Sequence, residues 1–538
     1  MNPLLDPRPV VVVGAGPVGQ TTALLLARWG VPVTVVDPRP GRDLVGSKAI
    51  CQQRDVLDVW DTVGAGRQLA EEGVTWTTAR TFYRDTELFA THFRDRGSSP
   101  FPPFVNISQS RTEEVLDQRL AESSLVQVLW DHEVVALDQD DDGVVLRCRT
   151  RGGDVSLSTP YVVACPGGRG EAIRRMLGLS FAGQTFGDQF LICDIRTDLP
   201  GWQDERRFYF DPEWNPGRQV LIHPCPDSTY RIDWQVPPDF DLAAEASSGR
   251  LDGRIRQIIG DLDYEIVWKS SYRFQSRIVD RMQVGRVLVA GDAAHLVAPF
   301  GARGLNSGVL DAENAAWKLA YVLRGWAAPA LLASYHAERH AAARENLEVT
   351  GATMRFLVPP DVDERRARGE LLERSRNDEA ARAEVDSGRL AEPFWYVDSP
   401  LTTADPTRPF RGRPVKGSVP EPGPGILVPD CPIDVAGRPE VVRLRQLLRG
   451  RVTVLLGEAV DPGSVAQAVV GVDAPVAVHR MGSLSPDVAT ILGAGPDEAW
   501  VVRPDAHVAA VVSEPTQIAA TLRRLLAQVP DSPPAGQA

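Results

Sequence analysis

The unit at the start of the chain leaves few folds open. Residues 10–13 are four valines in a row, a β-branched run of the length of a buried strand. Gly14-Ala-Gly16-Pro-Val-Gly19 follows, then an alanine- and leucine-rich helical stretch over residues 20–29, stopped by Gly30. A second strand over residues 33–36 ends at Asp37, eighteen residues beyond Gly19. A G-x-G-x-x-G by itself says little. With a strand before it, a helix after it and an acid at the end of the next strand, it reads as a dinucleotide-binding βαβ unit. Gly14 permits the tight turn, Gly16 lets backbone approach a pyrophosphate, and Gly19 lets helix and strand pack closely. Asp37 can then hold adenosine ribose hydroxyls, and it favours a free 2′-hydroxyl because a 2′-phosphate would meet like charge. The alternative is a structural glycine turn in a parallel sheet.

A second stretch, residues 285–308, reads Gly-Arg-Val-Leu-Val-Ala-Gly-Asp-Ala-Ala-His and then Leu-Val-Ala-Pro-Phe-Gly-Ala-Arg-Gly-Leu-Asn-Ser-Gly. Residues 287–290 form an apolar run expected as a buried strand, ended by Gly291-Asp292. A turn punctuated by Gly301, Gly304 and Gly308 leads into a helix over residues 309–323. Asp292 can accept hydroxyl hydrogen bonds, and free N–H groups at the helix start can face an anion or an electron-rich ring. Taken alone, a bland loop-to-helix turn fits these residues equally well.

Length calls for two or three domains in a chain of 538 residues. A net charge of −13 with no basic block argues against nucleic-acid and anionic-membrane partners. The six cysteines are Cys51, Cys148, Cys165, Cys193, Cys225 and Cys431. They contain no C-x-x-C and no metal-type pairing with histidine, so reduced thiols in a cytoplasmic protein and no metal site are expected. No signal peptide or membrane-spanning run is expected either.

Between the two nucleotide-type stretches the pattern changes. Residues 81–104 read as a strand pair, and residues 181–283 as a β-rich, aromatic insertion with strands near 207–210, 219–223 and 230–236. Lys48 and Arg54 precede or open a helix over residues 55–69; they flank cofactor phosphates or are solvated basic residues. Ser110 with Glu113 or Glu114 reads as a capping box, which leaves Gln109 as a cap-region residue or a cofactor contact. Residues 361–390 read as a charged, exposed helical region, and residues 399–432 as a proline- and glycine-rich wrapping linker. Beyond them, strands near 452–456, 476–479 and 499–502 and a helix over 516–529 read as a separate small α/β domain.

The expected fold class is therefore α/β: a Rossmann-like nucleotide domain with a β-rich substrate domain inserted, and a further C-terminal domain. The discontinuous nucleotide domain takes residues 1–80, 105–180 and 284–360. The inserted domain takes 81–104 and 181–283, and the helical region with its linker 361–432. The C-terminal domain takes 433–538.

With Gly14 to Gly19, Gly-Asp-Ala-Ala-His at 291–295, Pro299-x-Gly301-x-x-Gly304-x-Asn306-x-Gly308 and Asp311-Ala-x-Asn314-x-x-Trp-Lys-Leu-Ala320 in hand, the chain resembles the single-component FAD-dependent aromatic hydroxylases. It is most similar to the hydroxyphenylpropionate, phenol and polyketide hydroxylase branch, over nearly its whole length. The resemblance implies FAD, with Asp292 on the flavin ribityl or pyrophosphate. It places Pro299, Gly301, Gly304, Leu305 and Asn306 along the isoalloxazine ring, and Gln109 as a further contact. It implies a transient NADPH or NADH, O2 as co-substrate, a flavin C4a-hydroperoxide that hydroxylates a phenolic or polyketide-type ring, and a homodimer as a possible assembly. The C-terminal part resembles the thioredoxin-like domain of that branch, without a C-x-x-C.

Three departures stand out. Pro166 replaces the family's usual aspartate, a nominal loss of about 1.5–3 kcal/mol for one charge-assisted bond. Arg303 stands where glutamine is common, and Lys48 where arginine is frequent.

A hydroxylase of this kind needs no Ser/His/Asp or metal constellation, because the cofactor carries the hard chemistry. The protein must exclude water, orient the ring and help a phenol ionise. Where the β-rich insertion faces residues 299–304, the pocket candidates are Phe208, Phe210, His223, Arg231, Trp234 and Tyr272. His223 assists deprotonation or is a satisfied core histidine; Arg231 holds a carboxylate or lies on a surface strand; the aromatics line a cavity or fill a core. Two other functions stay open: a flavin oxidase or epoxidase acting on a large conjugated substrate, and a non-catalytic binding protein that keeps the fold.

Overall fold

The computed structural model describes residues 4–43, 46, 49–93, 99–414 and 418–528. The four valines form the strand Val10–Val13, buried on both faces in a six-stranded sheet. It pairs in parallel with Val33–Asp37 on one side and Val162–Ala164 on the other, and Val287–Val289 follows outside the latter. Near-continuous Val/Leu runs suit strands covered on both faces. The first helix, Pro17–Arg28, has proline at its first position, where no N–H is needed, and packs against the long helix Arg303–Leu323.

That long helix starts six residues before the expected residue 309. Its N-cap, Ala302, is left-handed (φ +57°), so Gly304 and Gly308 belong to the helix and not to the turn before it. Gly308 is required by close approach: a Cβ there would sit 2.6 Å from Val18 Cγ2 and 3.3 Å from Gly291 Cα. Helix propensity is overridden because only a small residue lets the two glycine stretches meet.

The aromatic insertion builds an eight-stranded sheet, mostly antiparallel. It contains Phe181–Arg196, Glu205–Phe210, Gln219–Cys225, Thr229–Val236 and Glu265–Val279, with Thr78–Tyr83 and Thr86–His92 at one edge. The edge hairpin thus begins three residues before the expected residue 81. Phe104–Asn106 leaves it for a small sheet with Cys51–Gln53. One face of the large sheet packs a core of Leu191, Val220, Ile232 and Trp234 on the helix Arg250–Ile259. Its other face turns toward residues 298–300 and the helix Ala333–Leu357.

Two local expectations are corrected. The cap of the helix Gln109–Glu122 is Ser108, which accepts from Arg111 N at 3.1 Å; Ser110 lies inside the helix, and Glu113 is spent on Arg42 and Gln109. The C-terminal sheet, Val452–Leu456 with Val476–Arg480, Ala499–Val502 and the unexpected Val508–Val512, has a core of its own but is also joined to the rest of the chain. Val452, Val454, Ile518 and Leu522 share one apolar core with Tyr321, Trp326 and the first sheet. Among the described residues no helix is long and apolar enough to cross a membrane, no group of side chains could hold a metal ion, and all six cysteines are free.

Candidate functional site

The glycine turn sits at the end of Val10–Val13, where the sheet opens between its two halves, the usual crevice of such sheets. Gly14 has φ +102°, and a Cβ there would lie 2.4 Å from Cys165 O, so only glycine fits. In front of Gly16 a Cβ would meet nothing within 4 Å. That open approach to a helix N-terminus suits a pyrophosphate.

Asp37 ends its strand as expected, but its carboxylate is already engaged. Oδ2 accepts from Ala15 N at 2.8 Å and Arg39 Nη2 at 3.0 Å; Oδ1 accepts from Arg39 N at 3.0 Å and Nε at 2.8 Å. These bonds hold the carboxyl below its ordinary range against the cost of burial, which is the largest single influence. A ribose hydroxyl reaching Asp37 therefore displaces a side-chain bond from Arg39.

A residue missed in the sequence, Arg42, ties the turn down: it donates to Ala15 O at 2.6 Å and pairs with Glu113 and Asp117. Nothing in its spacing from Asp37 announces this; the pairing depends on tertiary placement of the Gln109–Glu122 helix. Lys48 lies outside the described residues. Arg54 begins the helix Arg54–Asp61, half-buried. Gln109 accepts from Ala49 N at 3.2 Å and donates to Glu113 at 2.8 Å.

On the opposite wall, Gly291 (φ +63°) and Asp292 form a short turn after Val287–Val289. Asp292 and Pro299 are exposed while Ala293, Ala294, Ala298 and Phe300 are buried, so these two are presented into the crevice. The motif is fixed from behind: Asp311 Oδ2 accepts from Gly291 N at 2.9 Å and contacts His295 Nε2 at 2.7 Å, and Asp311 Oδ1 pairs with Arg339 at 2.7 Å, all fully buried. Gly304 and Leu305 are half-buried, and a Cβ at Gly304 would meet nothing within 4 Å.

The Asn306 side chain is committed to backbone groups. It accepts from Gln53 N at 3.0 Å and donates to Cys51 O at 3.0 Å and Ala302 O at 2.6 Å, clamping the Cys51–Gln53 strand to the loop. Arg303 points away from the crevice, to Asn346 Oδ1 at 2.7 Å and the carbonyls of Arg389 and Leu390. Together with Ala391 N donating to Gly301 O at 2.7 Å, it straps residues 389–391 over the loop.

Of the pocket candidates, Phe208 and Phe210 are buried in an aromatic group whose centre is Phe300. Ring centroids of Phe190, Phe208 and Phe274 lie 5.6, 6.5 and 6.0 Å from Phe300. Phe274 leads on to Tyr272 at 5.6 Å. Tyr272 is 43% exposed, with its hydroxyl kept protonated by its packing and by the charge of Asp292.

Trp234 is on the wrong face, opposite Leu191 and Val220 in the outer core, because strand alternation sends it away from Phe300. Arg231 is not a surface arginine: it is buried and pairs with both oxygens of Asp194, at 2.8 and 2.9 Å. His223 lies on the same face, 3.7 Å from Asp233, and burial with Arg206 and Arg231 nearby keeps it neutral.

Burial pushes the Asp233 carboxyl from its ordinary 3.8 up to about 7. The native chain therefore holds a proton that the unfolded chain has lost between about pH 4 and 7, and stability falls as pH rises through that window, with a ceiling of about 4 kcal/mol. Asp233→Asn is expected to raise Tm at pH 8 and to leave it unchanged at pH 4. An equal gain at both pH values in thermal unfolding would contradict this.

Comparisons with known proteins place the chain among similar sequences and folds. The FAD binding domain profile matches residues 8–350, and the aromatic-ring hydroxylase C-terminal profile matches residues 421–533. A flavin-dependent monooxygenase of Mycobacteroides abscessus is 33% identical over 351 residues, 61% of this chain and 70% of that protein. A 3-(3-hydroxy-phenyl)propionate/3-hydroxycinnamic acid hydroxylase of Comamonas testosteroni is 30% identical over 359 residues, 66% of this chain. The chain spans 59% of that hydroxylase's length and 63% of that of its Burkholderia vietnamiensis counterpart. The crystal structure of the flavin-dependent monooxygenase PieE in complex with FAD and substrate has the same fold, at TM-score 0.83 and 24% identity, covering 97% of this chain and 99% of that one. The profile match over most of the chain settles its membership: the protein belongs to the FAD binding domain family.

Proposed function

We propose that this protein is a monooxygenase that hydroxylates a phenolic or polyketide-type aromatic substrate, consuming NADPH or NADH and O2. The observation that carries the reading is the meeting of Phe190, Phe208 and Phe274 with Phe300, in the same loop that presents Pro299 to the crevice beside Asp292. Aromatic walls next to a flavin crevice suit a planar substrate. When bound, FAD supplies the redox chemistry, passing two electrons from the nicotinamide to O2 so that one oxygen enters the ring and the other leaves as water.

The chain's own residues do the rest. Gly16 admits the pyrophosphate, and Asp292 accepts ribityl hydroxyls. Pro299, Gly304 and Leu305 flank the ring, and the buried aromatics around Phe300 keep water from it. In this reading the first sheet is a Rossmann-like FAD domain over residues 1–80, 105–180 and 284–360. The large sheet is the substrate domain inserted in it, over 81–104 and 181–283. Residues 433–538 are a thioredoxin-like domain joined through 361–432, and they contain no cysteine for disulfide chemistry. Two of the named relatives are 3-(3-hydroxy-phenyl)propionate/3-hydroxycinnamic acid hydroxylases, which supports a phenolic substrate here.

Anaerobic mixing with NADH or NADPH tests the reading. Bleaching of the flavin band, accelerated by an aromatic ligand, is expected; no bleaching with either donor and any phenol of a panel would sink it.

Pro166 favours a second reading, an oxidase or epoxidase. It packs beside the glycine turn, with its Cα 3.1 Å from the position of a Gly14 Cβ, and it brings neither carboxylate nor N–H to the crevice. Pro166→Asp is expected to leave FAD bound and to speed reduction by NAD(P)H about tenfold, the equivalent of about 1.4 kcal/mol. Stopped-flow reduction at the parent rate would show that the proline does not limit the donor.

A further inference from the structure

On the inner face of the large sheet, strand register lines up one row of polar side chains. His223 is opposite Arg231, Arg231 opposite Asp194, and Asp194 opposite Trp268. Arg207 is opposite Ile222, so one step further along the same antiparallel pairing brings Arg206 beside His223. The next row on this face runs Phe208, Leu221, Asp233, Ile192, and its Phe208 packs on Phe300. The polar row thus begins one side chain beyond the aromatic wall of the proposed site.

The charges in this row do not cancel internally. Arg231 is neutralised by both oxygens of Asp194. Arg206 is only 6% exposed, and among the described residues its guanidinium makes no hydrogen bond or ion pair; the Phe208 ring lies 5.7 Å from its Cζ, and Asp233, His223 and Cys51 are close enough to feel its charge. A buried guanidinium with no hydrogen-bonded anion is costly, so a site that keeps one is built for something that arrives. Burial holds Arg206 down at about 10, still a cation at neutral pH.

Asp233 Oδ1 is likewise buried without a partner, and its other oxygen stands 3.7 Å from His223 Nε2. The surroundings of these two groups are dense enough to disfavour their charged forms, yet 13% of the His223 side chain and 21% of the Asp233 side chain remain accessible. They therefore line a recess. It is closed from the other side by the small sheet, where Asn106 donates to Pro224 O at 2.8 Å and Asn306 holds the Cys51 carbonyl.

Resting on the hydroxylase reading, we propose that Arg206, His223 and Asp233 form an oxyanion subsite for the aromatic substrate, in which Arg206 pairs with an acidic ring oxygen and His223, backed by Asp233, accepts its proton. The O–H bond breaks with its electron pair left on oxygen, and an N–H bond forms on the imidazole. The resulting imidazolium faces Asp233 while the new phenolate faces Arg206. His223 is neutral in the free protein chiefly because it is buried, and further because Arg206 and Arg231 flank it; an anion on Arg206 removes part of that repulsion and makes the ring nitrogen a better acceptor. Asp194, Cys51 and Cys225 are the other titratable groups facing the row, the first held in its ion pair and both thiols kept protonated by burial. Ionising the ring oxygen raises the electron density of the ring that is to be hydroxylated.

The test uses FAD-loaded protein with two probes of nearly equal shape, 4-nitrophenol and 4-nitroanisole, followed by difference absorbance without turnover. At pH 7 the protein is expected to bind the phenol at least about tenfold more tightly than its methyl ether, with the bound probe ionising at least about one pH unit below the free one. Arg206→Met is expected to abolish both differences, and Arg206→Lys to keep part of them as a point charge without the fork. Equal binding of the two probes by the parent protein, or phenolate binding unchanged in an FAD-loaded Arg206→Met or Arg206→Gln protein, would overturn the subsite. Phenolate binding without any reduction by NAD(P)H would instead leave the subsite standing and remove the hydroxylase reading.

Discussion

Asp292→Ala is expected to purify as a nearly colourless protein whose affinity for FAD falls at least about a hundredfold, with secondary structure and Tm of the FAD-free form unchanged. The size follows from the chemistry: a carboxylate accepting two hydroxyl hydrogen bonds loses about 1.5–3 kcal/mol for each, and nothing in the alanine replaces them. The fold should be spared because Asp292 is exposed, and the turn around it is held by groups the substitution does not touch. Gly291 N donates to Asp311, and Ala294 N to Gly291 O at 2.8 Å. Asp292→Asn, which keeps an acceptor oxygen but not the charge, should fall between the two. Isothermal titration of the stripped proteins with FAD reads all three. FAD retention equal to the parent would show that the ribityl chain runs elsewhere.

Much of this site was legible as sequence because its constraints are local. A turn that demands φ +102° at Gly14 and leaves open space in front of Gly16 can be written in few ways, and so can the strand-turn-helix around Asp292. What was not legible depends on partners far along the chain. Arg42 gains its role only when the Gln109–Glu122 helix delivers Glu113 and Asp117. The Asn306 side chain holds Cys51 and Gln53, more than 250 positions away, which no local pattern announces.

Trp234 illustrates the cost of a period of two. The strand Thr229–Val236 was recognised, but the choice of inner face was one residue off, and that places Asp233 and not Trp234 toward the site. Arg206 escaped notice because an arginine beside Arg207 in a charged, aromatic strand looks like ordinary surface until the small sheet covers it. Three of the four strands of the C-terminal sheet were legible, Val508–Val512 being missed; its attachment was not, because the residues that weld it to the FAD unit, Glu338 and Arg503, are 165 positions apart.

That weld carries the largest expected effect on stability. Glu338 is fully buried, and its two oxygens accept from Ser399, Arg503, Asn314 and Lys318 at 2.5–3.0 Å. The Arg503 and Lys318 cations hold its carboxyl far below the ordinary range, outweighing burial, the largest influence taken singly. A depressed carboxyl contributes stability above its unfolded value near 4.5 and loses it as pH falls, so this contribution is fully present at neutral pH. Glu338→Ala leaves Lys318 without its anion in a dry core, while Arg503 keeps Asp505 at 2.6 Å. A loss of about 3–5 kcal/mol is expected, because an uncompensated buried charge costs more than the pair gains. Glu338→Gln, which retains the shape and part of the hydrogen bonding, should lose less, and Lys318→Met combined with Glu338→Ala should recover part of the loss by removing the stranded cation. Thermal unfolding of the four proteins at pH 7.5 checks the order parent, Gln, double variant, Ala. The double variant unfolding below Glu338→Ala would show that the stranded Lys318 charge is not what the alanine protein suffers from. Asn314 and Lys318 lie on the same Arg303–Leu323 helix whose first turn carries Gly304 and Leu305, so the alanine protein is also expected to hold FAD less firmly. The C-terminal sheet then acts on the flavin crevice from behind, by fixing the helix that forms its wall.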